Sequence, residues 1–116
     1  MADNTYLIKE GVTITDEVIA IIAGVSALDI DGVDSLFGGL DRDAATKAGA
    51  GKIAKCVALD FEGSDTVKIA VTLNVKYGAT IPVVCKAVQD KIKSTLESMI
   101  GITVSAVDVR IASVAV

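Results

Sequence analysis

The residues of this chain that could do chemistry are few and poorly matched to one another. Histidine is absent, so general acid–base schemes, nucleophile–histidine–acid triads and most zinc sites lose their usual member. Carboxylates do fall in pairs: Asp29 with Asp31, Asp41 with Asp43, and Asp60 with Glu62. The first two pairs flank turn-like segments, where Asp caps the backbone. The third lies on the polar positions of a strand-like run, so solvated charge accounts for all six. Gly49-Ala50-Gly51-Lys52 is like the end of a phosphate-binding loop, but Thr46 stands where the first glycine belongs and Ile53 where Ser or Thr would hold magnesium. A Gly/Ala loop without phosphate is the better reading. The two cysteines, Cys56 and Cys85, each sit among apolar neighbours and read as core thiols. A disulfide between them depends on geometry that spacing does not supply. No nucleophile has a base partner, and no catalytic, metal or cofactor site is expected; the chain reads as a non-enzyme.

Composition frames the elements that carry these residues. A chain of 116 residues is one domain. With 52% hydrophobic and 3% aromatic residues, its core must be aliphatic. About two-thirds of the unfolded surface should be buried, enough to fold without disulfides or metals. Fifteen acidic against eleven basic residues give a net charge of −4. That balance argues against nucleic-acid binding and against general attachment to anionic lipid. Met1-Ala2-Asp3-Asn4 shows neither the basic nor the apolar region of a signal peptide. The longest apolar stretch, residues 18–28, falls far short of the ~20 residues of a membrane-spanning helix. No transmembrane segment and a cytoplasmic location are expected.

Along the chain, residues 6–14 read as a short strand with a kink or bulge at Gly11. Thr15-Asp16-Glu17 then opens a helix, with Thr15 as cap and two carboxylates at the positive end of its dipole. Val18, Ile19, Ile21, Ile22, Val25 and Leu28 give that helix a wide apolar arc, so heavy burial is expected. Gly24 within it implies close packing against a sheet. Residues 32–54 form the least regular part, punctuated by Gly38-Gly39 and Gly49-Ala50-Gly51. They read as a mobile Gly/Ala-rich loop with at most one or two helical turns. Val57, Leu59 and Phe61, then Val67, Ile69, Val71, Leu73, Val75 and Tyr77, alternate with polar or small residues. Gly63-Ser64-Asp65 joins the two runs as a hairpin.

A second helix spans residues 82–100, with Pro82 at its start and Gly101 as its left-handed stop. Cys85, Val88, Ile92, Leu96 and Met99 form its apolar stripe. Residues 102–111 make a last strand whose alternation changes phase between Ala106 and Val107, where a bulge would restore one buried face. The order β-α-β-β-α-β points to a two-layer α+β sandwich: a four-stranded, mainly antiparallel sheet with both helices on one face, most economically of ferredoxin-like topology. The opposite face then presents Asp60, Glu62, Lys68, Thr72, Asn74 and Lys76, with small Ala58 and Ala70 between them. It is either a solvated face or a docking and self-association surface. Ile111, Val114 and Val116 would help by adding an edge strand to a neighbouring chain. An RNA platform is disfavoured, because no aromatic lies on that face.

Three groups of phrases carry a family resemblance. The first is Gly11-Val12-Thr13-Ile14-Thr15-Asp16-Glu17-Val18-Ile19 with Ile22-Ala23-Gly24 and Gly32-Val33. The second is Val75-Lys76-Tyr77-Gly78 with Ile81-Pro82 and Val88-Gln89. The third is Leu96-Glu97-Ser98-Met99 with Gly101-Ile102 and Val107-Asp108-Val109. In this order the set resembles the alkaline shock protein family of Gram-positive bacteria across nearly the whole chain. The resemblance implies a non-enzymatic envelope-stress or general-stress protein acting as a protein-binding scaffold or adaptor. It also implies recruitment to the inner membrane surface by a membrane-anchored partner, and, for some members, homo-oligomers. It brings no catalytic, cofactor or metal motif. The Gly/Ala-rich middle and the short end after the last strand depart from the family pattern. The alternative of a different class is a small-molecule-sensing regulatory domain of ferredoxin-like type, with its ligand at a subunit interface or under the residue 32–54 loop.

Overall fold

The computed structural model describes residues 5–9, 12–38, 47, 52–53, 55–63 and 65–116. Its elements are β1 (Thr5–Lys9), β2 (Val12–Thr15), α1 (Asp16–Leu28), β3 (Val33–Leu36), β4 (Val57–Phe61), β5 (Thr66–Lys76), α2 (Ile81–Met99) and β6 (Thr103–Ala115). The architecture is α+β, with two long helices and a four-stranded, mostly antiparallel open sheet. β5 is the centre of that sheet. β3 and β4 lie in tandem along one of its edges, both antiparallel, with Val33 opposite Val75 and Val57 opposite Val71. β6 runs parallel to β5 along the other edge.

The first strand differs from its sequence reading. Residues 6–14 fold back on themselves: β1 and β2 pair antiparallel as a separate two-stranded sheet, and Lys9 pairs with Val12, so only Glu10 and Gly11 lie between them. The kink or bulge expected at Gly11 lies outside the described residues. The place in the main sheet goes instead to β3, inside the stretch read as irregular. Four residues are too few to show a convincing alternation, and a register shift at Asp34 breaks it further. Residues 39–46, 48–51 and 54 of the expected loop lie outside the described residues. Ile53, within that stretch, is buried.

α1 starts as its sequence indicates, with the Thr15 hydroxyl accepting from the Val18 N–H at 3.4 Å. Heavy burial and the close contact at Gly24 are as expected, but the buried side is shifted from the expected arc. Ile19, Ala20, Ala23, Gly24 and Ala27 face the core, whereas Val18 is 39% exposed and Ile21, Ile22, Val25 and Leu28 are half-buried. The cause is close approach. A Cβ on Gly24 would lie 2.7 Å from Ile53 Cγ2 and 3.2 Å from Leu36 Cδ1. Apart from Ile19, the helix therefore seats its small residues on the core and leaves bulkier ones along its flanks.

On α2 the buried row is Val84, Val88, Ile92 and Leu96, spaced as one i, i+4 ridge. Cys85 and Met99, expected in the core stripe, sit at its borders: Cys85 is half-buried and Met99 is 66% exposed. Ile100 takes the inward position that closes the row, and Gly101 follows at φ +84° with its N–H on the Leu96 and Glu97 carbonyls. The bulge foreseen in the last strand is present one residue earlier than expected, at Ser105. A second at Ala112 lets β6 run on to Ala115 with Val114 still in phase. Gly24→Ala should destabilise the fold by about 1–3 kcal/mol by overpacking, although alanine is the better helix former. Urea unfolding monitored by circular dichroism measures it; an unchanged or raised midpoint would contradict the tight contact.

Candidate interaction surfaces

Strand alternation divides the sheet cleanly. Val67, Ile69, Val71, Leu73 and Val75 point into the core, with Val57 and Leu59 on β4 and Val104 and Val107 on β6. The other face is open among the described residues. It carries Asp60, Lys68, Thr72, Asn74 and Lys76, as the sequence indicated, with Asp60 directly opposite Lys68. Glu62 joins them from the β4–β5 turn: its carboxylate accepts from the Ser105 hydroxyl at 2.5 Å, reaching toward β6. All six residues named from sequence therefore share one surface.

Asn74 has a structural task on that surface. Its amide nitrogen donates to Ser35 Oγ at 3.0 Å and to the Leu36 carbonyl at 3.3 Å. Ser113 Oγ donates to Asn74 Oδ1 at 2.8 Å, and Ser35 Oγ donates onward to Asp34 at 3.1 Å. The chain of bonds ties β6 to β5 to β3. Sequence reasoning missed Ser35, because it lies in the irregular stretch. Ser105, Asp108, Arg110 and Ser113 were missed because two bulges scramble the alternation of β6.

A second surface was not foreseen. Ile21, Ile22, Val25 and Met99 line an apolar groove of about 320 Å³ between α1 and α2, with Asp29, Lys91 and Thr95 also in its wall. The sequence signal nearest to it is the wide apolar arc of α1, which by itself predicts heavy burial rather than a groove. Elsewhere, Lys52 of the phosphate-loop-like phrase is exposed, while residues 49–51 lie outside the described residues. Cys56 and Cys85 are both free. Cys56 is buried, its Sγ 3.2 Å from the Phe37 carbonyl, and burial pushes its thiol pKa up. Among the described residues no cluster of three metal-binding side chains occurs, and no helix is long and apolar enough to cross a membrane.

A sequence model of the alkaline shock protein 23 family, described as having cell envelope-related function, matches residues 5–116. The chain belongs to this family. It is the grouping that the ordered phrases resemble. Two relatives are similar over most of their length. The uncharacterized protein YqhY of Bacillus subtilis (strain 168) is 31% identical over 112 residues, 97% of this chain and 81% of that protein. The uncharacterized protein Spy1535 of Streptococcus pyogenes serotype M6 is 30% identical over 100 residues, 86% of this chain and 75% of that protein. No solved structure matches the chain.

Two outcomes follow from this geometry. Asn74→Ala should lower the unfolding free energy by about 1–3 kcal/mol, because it removes the partner of buried Ser35 and of the Leu36 carbonyl on β3; denaturant titration reads it. In the folded protein at neutral pH, a thiol reagent should modify Cys85 well before Cys56, since Cys56 is the more buried and that burial raises its own thiol pKa. Mass spectrometry of a labelling time course decides the order.

Proposed function

We propose that this alkaline shock family chain is a non-enzymatic scaffold or adaptor in cell-envelope function, docking a protein partner on the open face of its sheet. The observation that carries the reading is the character of that face. Lys68, Lys76 and Arg110 stand among Asp60 and Asp108, on a ground of Ala58, Ala70 and Thr72 that allows close approach. Mixed charge over short side chains favours an oriented, salt-sensitive protein contact over a catalytic cleft. With no spanning helix among the described residues, the reading assigns any position at the inner membrane surface to a membrane-anchored partner. The competing reading, a ligand-sensing domain, draws its support from the apolar groove between α1 and α2, whose size suits a small molecule.

Lys68 and Lys76 are exposed and among the described residues make no hydrogen bond to another side chain, so Lys68→Glu with Lys76→Glu should leave the chain folded, at a cost of about 1 kcal/mol or less for a second carboxylate opposite Asp60. Under mild crosslinking, the unmodified chain should recover membrane-anchored proteins, and the doubly substituted chain should lose them. Equal recovery from both would move the docking surface off this face. A melting temperature raised by small apolar ligands, and abolished by Val25→Asp, would favour the sensing reading instead.

A further inference from the structure

β6 is by far the longest edge strand of the main sheet, thirteen residues against four for β3 and five for β4. A long edge with free backbone groups is a template for another strand. Two side chains of α2 cover its first part: Gln89 donates to the Val107 carbonyl at 2.9 Å, and Glu97 accepts from the Val104 N–H at 3.3 Å. Among the described residues no side chain does the same from Asp108 onward. The direction of the free groups is fixed by the two ends of the strand. The Thr103 N–H bonds to Asp65 and the Ala115 carbonyl accepts from Tyr77, both on the β5 side. Alternation through the bulges at Ser105 and Ala112 then turns the backbone of Val107, Val109 and Ile111 outward.

We infer that this edge pairs antiparallel with β6 of a second copy of the chain, about a two-fold axis at Val109. Residues directly opposite in such a pair share a face, so the charged positions select the register. With the axis at Val109, Asp108 faces Arg110 of the second copy, and the contact occurs twice by symmetry. Shifting the axis by one residue sets Asp108 against Asp108 or Arg110 against Arg110, which opposes like charges. The axis at Val109 also brings Val107 against Ile111 of the second copy on the core side, where Val109 and Ile111 are only half-buried in one chain. Gln89 does not block this register, because the Val107 carbonyl retains a second lone pair for the Ile111 N–H of the other copy. The result is one sheet continuous across two chains. The inference shares Asp108 and Arg110 with the open face but needs no partner docked there, and the β5 lysines separate the two readings.

Analytical ultracentrifugation tests it on the full chain. The unmodified protein should sediment as a reversible dimer. Asp108→Arg and Arg110→Asp should each weaken dimerisation by about tenfold or more, since each turns two attractions into two repulsions. An equimolar mixture of the two single variants should form a heterodimer, because 108 and 110 of one chain then meet opposite charges on the other. The double variant Asp108→Arg/Arg110→Asp should dimerise again on its own. Val109→Pro removes an outward N–H without costing a bond inside the chain, and should yield a folded monomer. A monomeric unmodified protein, or single variants that dimerise as well as it does, overturns the inference. Lys68→Glu with Lys76→Glu should leave the dimer intact, so a failure of the docking reading is read separately.

Discussion

Five side chains on one strand hold the molecule together. Val67, Ile69, Val71, Leu73 and Val75 of β5 are each no more than 1% exposed, and their strand is hydrogen-bonded along both edges. Full burial of such a side chain contributes about 1.5–3 kcal/mol, so this row alone is comparable with the net stability of a small domain. Each remaining element of the main layer pair is located by it. β3 and β4 share one edge, β6 has the other, and the buried residues of both helices belong to the same cluster. The opposite side of β5 is correspondingly short, polar and open.

The approach of α1 to this row has an effect at the surface. Bringing Gly24 against Ile53 and Leu36 requires alanine and glycine on the inner side of the helix. Ile21, Ile22 and Val25 of α1 are thereby displaced to its flank, where they meet Met99 of α2 around the interhelical groove. An exposed apolar strip on this protein is thus a by-product of tight packing beneath it. Interior complementarity and surface character are set by the same few residues.

The elements with long, regular patterns were legible in the sequence. The alternation of β5, the hairpin joining it to β4, the cap at Thr15, and Pro82 and Gly101 bounding α2 all correspond to what the structure contains. The β4 and β5 part of the open face could be named residue by residue because β5 alternates without a bulge against β4. Where the reading failed, short-range signals competed with tertiary ones. β3 is four residues long and carries a register shift, so its strand character comes from pairing with β5 rather than from its own pattern. Met99 matches the helical spacing of the core stripe, yet its neighbour Ile100 takes the inward position at the helix end and leaves Met99 66% exposed. The cross-strand role of Asn74 required knowing that Ser35 and Ser113 flank it, and neither neighbour follows from local periodicity.

The mixed direction of the sheet carries a consequence for the order in which it can assemble. β4 and β5 are neighbours in the chain and can zip together from their turn at little entropic cost. β6 has no such route. Thr66 pairs with Thr103 and Lys76 with Ala115, so every contact between those parallel strands waits until α2 has been laid across the layer. A nascent chain emerging from the ribosome would hold β5 with one edge open until β6 has cleared the exit tunnel. The last strand of the sheet to be synthesised is thus the one that closes it, and commitment to the native layer waits for that late arrival.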